Sequence, residues 1–424
     1  MTAPADRAEK RLDNLVALDR DSEPSFHRHG EGYRMLVPAS GVTLEIDYLR
    51  RDGSQLKGEL LARAEIAGAR TVDGVLDVSD LNLSSARSRA AHAKHLAARA
   101  NAKGIDFETM LADFALRVLS AERAGDPAVW LHEIDPPGPA AELEVLGWPL
   151  LAKHPVCAFG DGGSCKSYLA LYVAGVLAQR GIRVGVADWE LAGEDHRDRL
   201  DRLFGEDLPQ IAYIRCARPL TAEVDRIRRI RRELALDYLV LDSVAFACDG
   251  PAETQEVAAR FFQALRSLGE LGTLLIAHIT KSLEGADRRP FGSTFWHNGS
   301  RSTWNVKPAD GVPDDTRAVL ALHNRKANLG RLRHSIGVEF RFEQTRTLVR
   351  RVDLGDEPDL AAGLPTPERL RLALRRGPLS RKQVESELED VASDTLRKAI
   401  SREKKAGRVL EFGDRLSLAA RGAQ

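Results

Sequence analysis

Apolar positions along the chain change rhythm twice. Between residues 33 and 66 they form short stretches, Tyr33–Val37, Val42–Leu49 and Leu56–Ala64, broken by Pro38, Gly41 and Asp52-Gly53. Short apolar runs bounded by turn formers predict a small β-rich unit. Ala86 to Ala102 and Phe107 to Arg123 take a helical spacing instead, with Lys103-Gly104 as the break. Strands followed by helices predict an α+β N-terminal domain.

The stretch Asp135-Pro-Pro-Gly-Pro-Ala-Ala is dense in residues that stop regular structure and predicts a linker. Beyond it, Val156–Phe159, Val184–Ala187, Tyr238–Leu241 and Thr273–Ile276 alternate with helical segments. Strands separated by helices imply βαβ units, hence an α/β core with a mostly parallel central sheet. A second Pro/Gly-rich boundary falls at about Gly355 to Pro367. After it the spacing predicts three helices, Pro367–Arg376, Ser380–Leu388 and Ser393–Ala406, the last capped by Ser393 and stopped at Gly407. Arg408–Phe412 and Arg415–Leu418 around Gly413-Asp414 predict a hairpin. The expected domains are 1–135, 136–358 and 359–424.

Composition narrows the class. The 424 residues carry 62 basic and 62 acidic side chains, so attraction to nucleic acid or membrane must come from local patches. Cys157, Cys165, Cys216 and Cys248 contain no CxxC pair, which argues against a zinc site or disulfide framework and fits a reducing compartment. The polar start MTAPADRAEKRLDN lacks a secretory core, and no apolar run reaches membrane-spanning length. The expectation is a cytoplasmic protein without a membrane partner.

Candidate chemistry sits at one strand–helix junction. Gly160-Asp161-Gly162-Gly163-Ser164-Cys165-Lys166-Ser167 follows the strand Val156–Phe159 and opens a helix at Tyr168. Glycines let backbone N–H groups turn inward around a phosphate, and a helix N-terminus adds its positive dipole end. In such a loop Lys166 reaches the β- and γ-phosphates and the Ser167 hydroxyl ligates Mg²⁺. The expected ligands are ATP and Mg²⁺, held by residues Gly160 through Tyr168. Cys165 departs from the pattern G-x-x-x-x-G-K-[ST], standing where the second glycine belongs. That bears on loop geometry and hydrolysis rate, and suggests sensitivity to thiol modification.

The apolar strand Leu236–Asp242 ends on a carboxylate, one βαβα interval after the loop, and Asp242 is the expected Mg²⁺ partner. Many P-loop ATPases place a water-activating glutamate next, but Ser243 follows here. Glu190, closing Val184-Gly-Val-Ala-Asp-Trp-Glu190, supplies the base from a neighbouring strand end.

Together, FGDGGSCKS, VADWE, LVLDS, IAHITK and FGSTFWHNGSRSTW resemble the RecA-like ATPases, specifically the RepA-type hexameric replicative helicases of plasmids and phages. The resemblance covers roughly Val145 to Arg350. It implies that Glu190 polarises the attacking water and that His278 tips a sensor strand. It also implies that Arg301 is an arginine finger acting in a neighbouring subunit's site, with Arg325 and Lys326 as further candidates. A finger acting in trans implies a homo-oligomer, a hexamer being favoured.

In RecA-like motors the loop after the sensor strand lines a channel for single-stranded DNA, which makes Lys281 and Arg289 candidate phosphate contacts. Three helices plus a hairpin in the tail look like a winged helix. From Thr366 onward the tail carries fourteen basic against nine acidic side chains, and Lys398, Arg402 and Lys405 lie outward on its third helix. That module suits duplex DNA, or alternatively protein docking. In the N-terminal domain, the basic helix with Arg87, Arg89, Lys94, Arg99 and Lys103 reads equally as a solvated face or a DNA contact. The expected function is a DNA-dependent ATPase and helicase. The rivals are a recombination or defence ATPase without unwinding, and an ATP-gated DNA-binding regulator with little turnover.

Overall fold

The computed structural model describes residues 23–136, 138, 142–278, 294–309, 316–357, 360–361 and 363–419. The chain divides into two compact units, Met1–Pro136 and Pro137–Gln424.

In the first unit, β1 (Ser25–His29), β2 (Gly32–Val37), β3 (Val42–Asp52), β4 (Gln55–Ala64) and β5 (Val75–Asn82) form an antiparallel sheet in sequence order. Burial alternates along β4, as a sheet with one covered face requires. The cover is α1 (Ala86–Ala100) and α2 (Phe107–Ala124): Met35, Leu44, Ile46 and Leu60 share a core with Leu96, Leu111 and Phe114. Ser85 caps α1 and Asp106 caps α2 through side-chain oxygens that accept backbone N–H bonds. Arg89 and Arg99 of α1 donate to the carbonyls of Leu83 and Leu76, so part of its basic face is structural.

The second unit opens with a hairpin of β6 (Glu142–Val145) and β7 (Trp148–Leu151). There follow β8 (Pro155–Gly160), α3 (Lys166–Gln179), β9 (Val184–Asp188), α4 (Gly193–Phe204), β10 (Ile211–Arg215), α5 (Leu220–Glu233) and β11 (Tyr238–Asp242). Next come α6 (Val244–Ala247), α7 (Gln255–Ser267), β12 (Gly272–His278), α8 (Thr294–Gly299), β13 (Ser302–Pro308), β14 (Arg317–Ala327), β15 (Ile336–Phe342) and β16 (Thr347–Val352). The strands join in one sheet of order β10-β9-β11-β12-β8-β13-β14-β15-β16. Pairing is parallel from β10 to β13 and antiparallel from β13 to β16. The unit is a mixed α/β fold with a mostly parallel sheet.

Helices cover both faces of the parallel part, which is why β11 is buried at every position. Cys157, Phe159, Leu239 and Leu275 pack with Phe261, Phe262 and Trp296 on one face. Val156, Val240, Leu274 and Trp304 pack with Leu169, Val173 and Leu177 of α3 on the other. The chain leaves β8 through α3 toward β9, whereas β12 leads past β8 to β13. Strand order therefore reverses at β8, the place where open α/β sheets leave a crevice at the carboxyl ends of the strands.

The tail supplies α9 (Thr366–Arg375), β17 (Leu379–Ser380), α10 (Arg381–Glu387), α11 (Ser393–Lys405), β18 (Val409–Phe412) and β19 (Arg415–Leu418), the strands pairing in the order β17-β19-β18. Leu370, Leu374, Val384, Leu396, Ile400, Val409 and Leu416 form its own core. The expected cap of α11 is corrected: Ala392 holds the N-cap position and Ser393 is already helical. The Leu396 N–H bonds the Ala392 carbonyl at 3.0 Å, which starts the helical ladder one residue earlier. Ser380 and Gln383 form a capping box on α10 instead.

Candidate functional site

Local backbone requirements shape the glycine-rich loop between β8 and α3. A Cβ on Gly160 would lie 2.3 Å from the Val306 carbonyl oxygen, so no side chain fits there. Gly163 turns with φ 74°. Cys165 takes φ 52° and ψ 20° just before the first helical residue, a left-handed conformation that glycine adopts at no steric cost.

Lys166 is 6% exposed and folds back onto the loop. Its Nζ donates to the Asp161 carbonyl at 2.6 Å and to Ser164 Oγ at 3.1 Å. Burial pushes its pKa down, against the charges of Asp242, Asp161 and Glu190. Burial also pushes the Cys165 thiol up, partly opposed by Arg199 and Lys166. A scarce thiolate makes the loop less reactive than its sequence suggests. Tyr168, in the first turn of α3, carries Arg199 over its ring at 5.3 Å and meets Phe340 and Phe342 edge-on.

The parallel register brings the other candidates to the same rim. His278 pairs with Gly160 across β12 and β8, and Asp242 with Asp188 across β11 and β9. Asp242 is 4% exposed, and its Oδ1 has no hydrogen-bond partner among the described residues. Burial pushes its carboxyl up to about 6, with the Ser167 hydroxyl acting in the opposite direction. A buried carboxylate with an unspent oxygen facing a hydroxyl fits a divalent cation. Mg²⁺ takes few protein ligands and fills its octahedron with phosphate oxygens and water.

Glu190 sits where β9 turns over. Its backbone N–H donates to Asp188 Oδ1 at 3.0 Å, and the next N–H, of Leu191, to Asp188 Oδ2 at 3.0 Å. The Trp189 N–H donates to the Asp242 carbonyl at 2.8 Å, locking the turn to β11. Oε1 of Glu190 accepts from Ser243 Oγ and lies 4.0 Å from Nε2 of His278. Lys166, Ser167, Glu190, Asp242 and His278 thus share one crevice. Asp188 and Ser243 belong to it too, and sequence reasoning missed both. The signal for Asp188 is a second acid two places before Glu190; Ser243 reads in the sequence only as a missing glutamate.

The expected trans residues lie elsewhere. The Arg301 N–H donates to the Pro155 carbonyl at 2.9 Å, so Arg301 stands at the amino end of β8. That is the length of a six-residue strand from Gly160, roughly 17 Å at the rise of extended backbone. Arg301 is exposed. Lys326, beside it on β14, donates to the carbonyls of His297, Asn298 and Ser300 at 2.8, 2.9 and 2.8 Å, closing the end of α8. Arg325 precedes it on the same strand and is half-buried.

Lys281 and Arg289 lie outside the described residues. On α11, Lys398 pairs with Asp394 at 2.6 Å, while Arg402 and Lys405 are exposed without an ion-pair partner among the described residues. Glu403, missed in the sequence, is 2% exposed and accepts from Arg371 and Arg408, joining α9, α11 and the strand that follows. No helix among the described residues is long and apolar enough to cross a membrane.

No protein-family model matches the chain, and no curated protein matches it. Solved structures with a similar fold include an isolated ATPase domain, at 12% identity and TM-score 0.39, covering 48% of this chain and 86% of that one. A KaiC-like protein from Pyrococcus horikoshii OT3 aligns at 16% identity and TM-score 0.37, covering 47% of this chain and 90% of its own. A DnaB-like replicative helicase aligns at 12% identity and TM-score 0.38, covering 46% and 59%.

Proposed function

We propose that this chain is a RecA-like, DNA-dependent ATPase acting as a head-to-tail homo-oligomer, a hexamer being favoured, and that it drives replicative-type DNA unwinding. One observation carries the reading: Lys166, Ser167, Asp242, Glu190 and His278 converge on adjacent strand ends beside a glycine-rich helix start.

Loop N–H groups, the start of α3 and Lys166 hold the β- and γ-phosphates of ATP. Mg²⁺ held by Ser167 and Asp242 would, when bound, neutralise phosphate charge. Glu190 orients water for in-line attack on the γ-phosphate, and Lys166 stabilises the charge that develops. His278, beside Glu190 and at the head of the following loop, is suited to report phosphate state to Lys281 and Arg289. Arg301 stands on the rim opposite its own phosphate loop. A contact that joins unlike rims is heterologous, and such contacts close into rings or extend as filaments. The reading treats 1–135 as an accessory domain, 136–358 as the motor and 359–424 as a winged helix. Three helices, a three-stranded sheet, and exposed Arg402 and Lys405 support DNA contact by the last.

A second reading, an ATP-gated DNA-binding regulator with little turnover, is favoured by the left-handed Cys165 in the phosphate loop. ATP turnover with and without single-stranded DNA, for wild type and Lys166→Ala, separates the two. DNA-stimulated turnover that Lys166→Ala abolishes is the expected result; binding of ATP without turnover establishes the regulator. Turnover without strand displacement on a forked duplex points to a recombination or defence ATPase.

A further inference from the structure

Ser243 occupies the N-cap position of α6, where a serine hydroxyl ordinarily accepts a backbone N–H. It makes no capping bond. The side chain is buried, 1% exposed, and its Oγ donates to Oε1 of Glu190, fifty-three residues away in sequence. The turn of α6 does not depend on that hydroxyl, because the Ala247 N–H bonds the Ser243 carbonyl at 3.1 Å.

The rest of Glu190 is already fixed at its backbone. Asp188 holds its N–H, and Trp189 is tied to the end of β11. What remains free in a glutamate so anchored is the rotation of its side chain, and a carboxylate that wanders presents the wrong oxygen to water. The hydroxyl removes that freedom. It takes the oxygen that also faces His278 and leaves the other oxygen for a water molecule.

We propose that Ser243 is a positioning residue for hydrolysis: by holding Oε1 of Glu190 it presents Oε2 to the attacking water. The position after the Mg²⁺-binding aspartate thus contributes a hydroxyl that aims a carboxylate carried by the neighbouring strand. This rests on the ATPase reading given above.

The test is steady-state ATP turnover of the full chain with Mg²⁺ and single-stranded DNA. The proteins are wild type, Ser243→Ala, Ser243→Thr, Glu190→Gln and the double variant, with affinity for a fluorescent ATP analogue measured in parallel. Ser243→Ala is expected to lower kcat about 10-fold with KM and analogue affinity within about 2-fold, and Ser243→Thr to recover most of the loss. Adding Ser243→Ala to Glu190→Gln is expected to change the residual rate less than about 2-fold, because the hydroxyl acts only through that carboxylate.

The proposal fails if Ser243→Ala keeps wild-type kcat, if its loss persists undiminished beside Glu190→Gln, or if threonine is as slow as alanine. A matching loss of analogue affinity also overturns it, since the hydroxyl would then shape the pocket and not aim the base. Wild type no faster than Lys166→Ala would remove the ATPase reading itself. An active wild type, an inactive Glu190→Gln and an unimpaired Ser243→Ala remove this inference alone.

Discussion

Nε2 of His196 lies 2.8 Å from Oδ2 of Asp188, and both side chains are buried beneath the turn that carries Glu190. A carboxylate can only accept, so Nε2 carries the hydrogen, and Asp188 receives three bonds in all: from His196, Glu190 N and Leu191 N. Asp188→Asn replaces one acceptor oxygen with a donor and must break at least one of these bonds. Leaving a buried donor unpaired costs about 1–3 kcal/mol. The expected outcome is a lower Tm together with a kcat reduced about 10-fold or more, because the turn that aims Glu190 relaxes. Nucleotide affinity, set by a different loop, stays within about 3-fold. Thermal unfolding and single-turnover kinetics check both halves.

Cys165 holds a left-handed backbone conformation in the loop that begins α3. For a side-chain-bearing residue that conformation costs about 1–2 kcal/mol. Glycine removes the cost but gains freedom in the unfolded chain, an opposing effect of about 0.4–1 kcal/mol. Cys165→Gly is therefore expected to leave Tm unchanged or slightly raised and to keep ATP binding. Cys165→Val puts a β-branched side chain at the same φ and is expected to lose about 2 kcal/mol or more, with weakened ATP binding. Calorimetry with and without ATP distinguishes them; a glycine variant less stable than the valine one would contradict the loop geometry.

Glu339 on β15 is fully buried among Arg317, Arg341 and Arg350. Burial alone would push its carboxyl up, but hydrogen bonds from Arg350 and Arg317 and the charge of Arg341 hold it at about 2, below its ordinary 4.5. A depressed folded-state value means the carboxylate stabilises the fold fully above the unfolded-state value. That contribution is lost as pH falls from about 4.5 through about 2. Glu339→Gln leaves three partly exposed guanidinium groups without a counter-charge. The expected loss at neutral pH is about 2–4 kcal/mol, the low side of the range for breaking a buried pair. Wild-type and variant unfolding curves should converge as pH drops toward 2 and stay separated above 5.

Much of this architecture was legible because its signals are local. The strands β8, β9, β11 and β12 are short apolar runs set between helices, and the tail helices carry clean apolar spacing. The phosphate loop was readable from Gly160 to Ser167 for the same reason: backbone chemistry demands those residue types in sequence. What stayed hidden depends on pairing across the chain. Strands β1, β5 and β10 mix charged and apolar residues, and only their sheet partners stabilise them as strands. The antiparallel extension β14–β16 has no spacing that separates it from the parallel part. Asp188, Ser243 and Lys326 were illegible for a sharper reason. Each acts through a partner brought near by the fold, whether a backbone N–H, a glutamate oxygen or three carbonyls at a helix end.

The placement of Arg301 makes the strongest quantitative demand. It stands at the amino end of β8 while Lys166 follows the carboxyl end, so one protomer does not bring them together. Removing an arginine finger lowers kcat by about 10³–10⁵-fold. Arg301→Ala and Lys166→Ala are therefore each expected to be nearly inactive alone, the first still binding ATP with near wild-type affinity. In a mixture, an Arg301→Ala subunit keeps its phosphate loop and can receive Arg301 from a Lys166→Ala neighbour. With random mixing in equal amounts, about a quarter of head-to-tail interfaces are complete in this sense. Turnover should rise well above either variant alone and approach that fraction of wild type if the sites act independently. A mixture no faster than its components, or an Arg301→Ala protein as fast as wild type, assigns Arg301 to the surface of the sheet and returns the search to Arg325. Lys326 is the weaker candidate, because moving it into a neighbour's site would leave the three carbonyls at the end of α8 without their donor.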